Sequence, residues 1–172
     1  MKLHSIVLLL IACLCAPVFA AEEKLPFGIR NYDVGLAPNF ELDDSDGETF
    51  SLKSTRGSWV FLHFWASWCG PCREEMPTIQ TLYENTDEDK LHFVLVNTAE
   101  DEDTIFNFLG VIAPNLISMM DVDGQVTEVW KPRGLPTTFL LDPEGKVRYQ
   151  ALGGREWNQP IYRQFINHLI TP

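Results

Sequence analysis

Apolar positions recur along this chain in three rhythms, and each predicts a different element. The first is an unbroken run. After the basic start Met1-Lys2-Leu3-His4, residues from Ser5 to Ala20 are almost wholly apolar or small, and Ala21-Glu22-Glu23-Lys24 turns abruptly polar. Val18-Phe19-Ala20 is a small-x-small cleavage signal, so residues 1–21 read as a secretory signal peptide. Ser5 to Ala21 is only 17 residues and holds Pro17, short of the roughly 20 apolar residues that a spanning helix needs. A retained N-terminal anchor is therefore the lesser alternative. Leu10-Ile11-Ala12-Cys13 also resembles a bacterial lipoprotein box that would acylate Cys13, but Leu14 to Ala21 stays apolar where such chains usually turn polar.

The second rhythm is strand-like. Phe40-Glu41-Leu42 and Thr49-Phe50-Ser51-Leu52 alternate around the turn-rich Asp43-Asp44-Ser45-Asp46-Gly47 and predict a hairpin. Trp59 to Trp65 and Leu91 to Val96 are nearly continuous apolar runs of β-formers, as expected for strands buried on both faces. Leu116 to Met120 and Thr137 to Leu141 predict further strands, and Lys146 to Leu152 pairs back across the Asp142–Gly145 turn. The third rhythm is helical. Pro71 to Tyr83 carries Met76, Ile79, Leu82 and Tyr83 at helical spacing, with Pro71 suited to a first turn and Pro77 predicting a kink. Asp101 is an N-cap for a short helix with Ile105, Phe106, Phe108 and Leu109. Val126 to Trp130 predicts a short helix, and Trp157 to Ile170 a closing one. Residues 22–35 read as a loop-like extension ahead of one domain spanning 36–172. Strands alternating with helices, ending in a hairpin and a helix, give an α/β layout with a mixed sheet.

Composition narrows the function classes. With 45% hydrophobic and 22% charged residues, the 172-residue chain is that of an ordinary globular protein. The excess of 24 acidic over 13 basic residues, without a basic cluster, argues against nucleic-acid binding. Cleavage after Ala20 or Ala21 removes Cys13 and Cys15, so the four cysteines become two, Cys69 and Cys72. They are spaced C-x-x-C where a buried strand ends and a helix begins. Backbone N–H groups at a helix N-terminus favour a thiolate at Cys69, and the thiolate is the nucleophilic form. Cys72, one turn further on and shielded by the helix, suits the resolving role. A structural disulfide closing so short a loop gains little. A zinc site needs about four ligands, and His63, His92 and His168 are not spaced as partners for the pair. Copper binding, with thioethers from Met119 and Met120, stays open as a non-enzymatic alternative.

At this point the sequence resembles a known family. Phe64-Trp65-Ala66-Ser67-Trp68-Cys69-Gly70-Pro71-Cys72 looks like the thioredoxin active-site segment. Gly134-Leu135-Pro136-Thr137-Thr138-Phe139-Leu140-Leu141-Asp142 looks like the second signature, which contains the cis-proline. Ala37-Pro38-Asn39-Phe40, the hairpin with Asp46-Gly47, and Cys72-Arg73-Glu74-Glu75-Met76-Pro77 are similar to the exported TlpA/ResA/DsbE-like thiol–disulfide oxidoreductases. The resemblance covers about residues 36–170. It implies a thioredoxin fold: a central mixed sheet flanked by helices, with an N-terminal β-hairpin and an insert between the βαβ and ββα halves. It implies that Cys69 attacks a substrate disulfide and that Cys72 resolves the mixed disulfide. Trp68, Gly70, Pro71, Leu135 and a cis Pro136 would then meet the substrate. Glu75 matches an acid held to tune the cysteines and relay protons. His63 departs from the pattern, since thioredoxin has a buried Asp there and many exported relatives have Asn; its imidazole is a candidate to share proton handling with Glu75, or else a strand histidine satisfied by a hydrogen bond.

Neither a cofactor nor a metal is expected. The resemblance implies a periplasmic reductase, acting as a monomer on disulfide-containing exported proteins and re-reduced by a membrane electron donor of the DsbD/CcdA type. An oxidant role, and reduction of the haem-binding cysteine pair of apo-cytochrome c, are the alternatives. A peroxiredoxin normally has a Pro and a Thr or Ser at fixed spacing before its reactive Cys, and the stretch Phe64 to Trp68 lacks them.

Overall fold

The computed structural model describes residues 24–171. The expected signal peptide, its cleavage site and Cys13 lie outside the described residues. The main sheet has six strands: β1 (Ile29–Leu36), β4 (Trp59–Trp65), β5 (Leu91–Thr98), β6 (Ser118–Asp121), β7 (Thr137–Leu141) and β8 (Lys146–Leu152). Their order is β1-β8-β7-β4-β5-β6. β4 lies in the middle, parallel to β5 and antiparallel to β7. A parallel pair needs a crossover connection, and helix α1 (Gly70–Glu84) supplies it between β4 and β5.

β4 is buried along almost its whole length because both faces are covered. Its side chains alternate between two cores, as the period of two requires. Phe61 and Trp65 pack on the side of α1, α2 (Glu102–Ile112) and α4 (Pro160–Ile170), together with Met76, Ile79, Ile105 and Phe165. Val60, Leu62 and Phe64 pack on the other side with Leu52, Phe139 and Trp130 of α3 (Gln125–Trp130). His63 therefore belongs to the α1 side, between Phe61 and Trp65. Between the β4–α1–β5 half and the β7–β8–α4 half come α2, β6 and α3, the expected insert. The expected hairpin is the two-stranded sheet β2 (Glu41–Asp43) and β3 (Thr49–Ser51); it is tied to β6 where Ser45 N–H donates to the Ser118 carbonyl at 2.9 Å.

The loop expectation for residues 22–35 is corrected. From Ile29 the chain is strand β1, paired antiparallel with β8 through Ile29–Ala151 and Leu36–Lys146, with an irregularity between Asn31 and Gly35. The expected boundary at residue 36 thus falls inside an edge strand. Only Ile29 of β1 is buried, so the strand is held by its ladder to β8 and carries little of the apolar alternation by which strands are recognised. Smaller shifts concern ends: Leu52 begins a short 3-10 turn, and α4 starts at Pro160, three residues after Trp157.

Candidate active site

Cys69 and Cys72 are joined by a disulfide at the start of α1, with Cα atoms 5.2 Å apart. Cys69 is the N-cap of the helix, and its sulfur accepts the Cys72 N–H at 3.3 Å. A helix N-terminus presents unpaired N–H groups, so the position suits a sulfur that carries negative charge during exchange. Pro71 occupies the first turn, where its missing N–H costs nothing. Cys72 is fully buried and Cys69 nearly so, while Trp68 beside them is 69% exposed. Trp68, next to Cys69 in the chain, is thus not core packing.

The Leu135–Pro136 peptide is cis, as the second motif implied. Pro136 comes one residue before the last ladder pair, Thr137 with Phe64, which sets it at the end of the sheet from which the chain leaves β4 for Cys69. A small cleft there is lined by Arg133, Leu135, Pro136 and Gly153. Leu135 and Pro136 share the end of the sheet with the disulfide, as a substrate-strand site requires.

Glu75 sits one turn after Cys72, on the inner side of α1, and is 2% exposed. Its Oε2 accepts the Arg155 backbone N–H at 3.0 Å and the Trp157 indole N–H at 3.2 Å. Its Oε1 lies 3.3 Å from His63 Nε2, and neither of these two buried atoms makes a hydrogen bond in this structure. His63 Nδ1 lies 2.9 Å from Thr138 Oγ1, its cross-strand neighbour on β7. Burial pushes the Glu75 carboxyl up to about 8, against the Arg155 N–H and guanidinium and the Trp157 indole, which favour the anion. Burial, with the Arg155 charge second, pulls the His63 imidazole down to about 3. Both shifts disfavour charge, so at neutral pH the contact is a close approach of two mainly neutral groups rather than an ion pair. Glu74, by contrast, is exposed, as a solvated helix carboxylate should be.

Glu75 borders a cleft of about 270 Å³ with Pro71, Glu74, Gly154, Arg155 and Glu156. The loop carrying Arg155 approaches the start of α1 closely because residue 154 is glycine: an added Cβ would meet the Pro71 Cβ and carbonyl oxygen at 3.0 Å. The Arg155 guanidinium lies 5.1 Å from the Trp157 ring centroid and caps the loop against α4 through Tyr162.

The sequence reading found both cysteines, Glu75, His63 and the cis-proline loop. It missed Arg155 and Trp157, which orient Glu75, and Thr138, which meets His63. It also missed Glu100. That carboxylate accepts the Ser67 N–H and the Asn97 side-chain amide, each at 2.7 Å, and the Ser67 hydroxyl. Arg73 holds the Ser67 carbonyl from the other side at 3.2 Å. The approach to Cys69 is thereby fixed at residue 67. The local signal was the first acid of the run Glu100-Asp101-Glu102-Asp103, two residues after the end of β5, which does not distinguish a clasp from a solvated loop charge. The candidate thioether Met119 packs in the core of the α3 side, and among the described residues no three His, Cys, Asp or Glu side chains are grouped as a metal site.

A profile of the AhpC/TSA family matches residues 35–150. The thiol–disulfide oxidoreductase ResA of Bacillus subtilis is 37% identical over 130 residues, 76% of this chain and 69% of its own. Among solved structures, a putative thiol:disulfide interchange protein DsbE from Chlorobium tepidum superposes with a TM-score of 0.73 at 31% identity, covering 81% of this chain and 99% of the other. The pneumococcal exposed lipoprotein thioredoxin of Streptococcus pneumoniae superposes with a TM-score of 0.66 at 28% identity, over 77% of this chain and all of the other. The chain therefore belongs to the AhpC/TSA family, with the thioredoxin-like fold of a ResA/DsbE-type thiol–disulfide oxidoreductase.

Proposed function

We propose that this protein is an exported reductase of disulfides in other extracytoplasmic proteins. The observation that carries the reading is a disulfide at a helix N-terminus whose inner cysteine is followed, one turn on, by a buried carboxyl on a residue that borders a cleft. In the reduced enzyme the Cys69 thiolate attacks a substrate disulfide, forming the mixed disulfide and releasing one substrate sulfur as thiolate. The Cys72 thiol gives its proton to Glu75 in the minor ionised form that a pKa of about 8 leaves at neutral pH, and its thiolate attacks the Cys69 sulfur. The bond from Cys69 to the substrate breaks, its electron pair leaves on the second substrate sulfur, and water supplies the protons the substrate thiolates take up. The substrate gains two electrons, and the enzyme is left as the Cys69–Cys72 disulfide. Exchange runs through a thiolate at each step, so a nearby proton acceptor speeds the resolving attack. Trp68 and the Leu135–Pro136 segment form the surface that meets the substrate.

Export is supported by the N-terminal apolar run and by the description of the streptococcal relative as an exposed lipoprotein. Re-reduction would come from a membrane donor of the DsbD/CcdA type. The test is a Cys72→Ser protein expressed in its native compartment. Mixed disulfides through Cys69 should accumulate, and mass spectrometry identifies the partners; an empty trap refutes the reading. Trapped apo-cytochrome c would assign the protein to cytochrome c maturation. The reduction potential decides direction: a value near the roughly −270 mV of thioredoxin fits a reductase, and one near the roughly −120 mV of DsbA fits an oxidant.

A further inference from the structure

The disulfide exchange uses Glu75 but gives no work to His63, and His63 is fully buried. Each element packed on it contributes one group. From β4 the Phe61 ring stacks at 5.9 Å between centroids; from β7 comes the Thr138 hydroxyl, and from α1 the Glu75 carboxyl. The loop before α4 brings the Arg155 charge and the Trp157 indole to the same carboxyl. The remaining charges of the cleft, Glu74 and Glu156, are exposed. A buried carboxyl that must ionise leaves Oε1 needing a donor, while the same carboxyl, protonated, needs an acceptor there. A fixed donor or a fixed acceptor serves only one of these states. Histidine serves both, because its single N–H can sit at either nitrogen, and a threonine hydroxyl can donate or accept in turn.

We propose that His63 is a positioning residue for proton transfer: its tautomer switches with the protonation of Glu75, with Thr138 as the partner that permits the switch. When Glu75 is a carboxylic acid, its O–H donates to Nε2 and the Nδ1–H donates to Thr138 Oγ1. When Glu75 is a carboxylate, the Nε2–H donates to Oε1 and the Thr138 hydroxyl donates to Nδ1. The two states differ by one proton, which is exchanged with solvent water or with the Cys72 thiol. Only a small rotation of the two facing side chains is needed to turn the 3.3 Å contact into a hydrogen bond in either state. The ionised carboxyl then has three N–H donors, from Arg155, Trp157 and His63, in place of two. The proposal rests on Glu75 being the proton acceptor of the exchange.

Nitrogen-15 NMR of the oxidised, full-length protein tests it without turnover. Across the titration of Glu75, followed by its carboxyl carbon-13 signal, the His63 Nδ1 and Nε2 signals should exchange protonated and unprotonated character with the same midpoint. His63→Asn keeps a polar group toward Thr138 but leaves Oε1 without a donor and the carboxylate with two donors in place of three. Charge-assisted hydrogen bonds are about twice as strong as neutral ones, so the variant should bind the Glu75 proton about fivefold more tightly. Its pH–rate profile for reduction of a small aromatic disulfide should move to higher pH by the same factor. A His63 tautomer that stays fixed while Glu75 titrates overturns the proposal, as does an unchanged Glu75 midpoint in the variant. Normal trapping by Cys72→Ser alongside a fixed tautomer removes this inference alone; a switching tautomer in a protein that traps nothing removes the reductase reading alone.

Discussion

Replacing Glu75 by Gln should change how the stability of the oxidised protein depends on pH. Glutamine is isosteric with the protonated carboxyl. Its side-chain oxygen can accept the Arg155 N–H and the Trp157 indole N–H, and its amide can donate to His63 Nε2, so the contacts of the neutral state persist. The wild-type carboxyl has its pKa raised by burial from 4.5 to about 8. A raised folded-state pKa means that the folded protein binds the proton more tightly than the unfolded chain does. The resulting stability is fully present below about pH 4.5 and is lost as pH rises toward 8. Each pH unit within that window is worth about 1.36 kcal/mol. From pH 5 to 8 the wild type should therefore lose about 4 kcal/mol relative to Glu75→Gln. His63 is common to both proteins and drops out of the difference; its own contribution, from a pKa lowered to about 3, is lost in the opposite direction, as pH falls below 6.5. Urea unfolding of both oxidised proteins, followed by tryptophan fluorescence at half-unit pH steps, measures the difference. Parallel curves, separated by a constant amount within about 1 kcal/mol from pH 5 to 8, would refute a buried carboxyl that is neutral at physiological pH.

Glu100→Ala leaves the Ser67 N–H and hydroxyl and the Asn97 amide without their shared acceptor; it should cost about 2 kcal/mol in urea unfolding and expose the segment before Cys69 to limited proteolysis, while an unchanged proteolytic pattern argues that Arg73 alone fixes Ser67. Trp68→Ala removes a side chain that is 69% exposed, so stability should stay within about 0.5 kcal/mol; reduction of a protein disulfide should fall while reduction of a small aromatic disulfide is little changed, and equal losses would place Trp68 in the chemistry rather than in substrate contact. Gly154→Ala sets a Cβ 3.0 Å from the Pro71 backbone oxygen; it should destabilise by about 1–2 kcal/mol, and separation of the Arg155 N–H from Glu75 should lift the Glu75 midpoint further.

The site is more legible in this sequence than the fold around it. Helix geometry brings residues 69 and 72 together whatever the rest of the chain does, and the motifs around the cysteine pair and Pro136 then point to the chemistry. The period of two along β4 likewise assigns His63 to the face that carries Phe61 and Trp65. What lies over that face is not local information. Glu75 reaches His63 because α1 crosses back over β4 to make β5 its parallel neighbour, and Trp157, 82 residues from Glu75 along the chain, arrives because α4 packs on the same side. Thr138 meets Nδ1 only through the antiparallel register of β4 and β7. Strand β1 shows the same limit from the other side. Hydrophobic periodicity reports burial, and an edge strand with one buried residue is held by backbone hydrogen bonds that every residue type can make. The sequence thus determines the reactive pair and the period of each element; the tertiary structure decides which buried polar groups share a proton, since that depends on distances between segments that only the packed sheet and helices set.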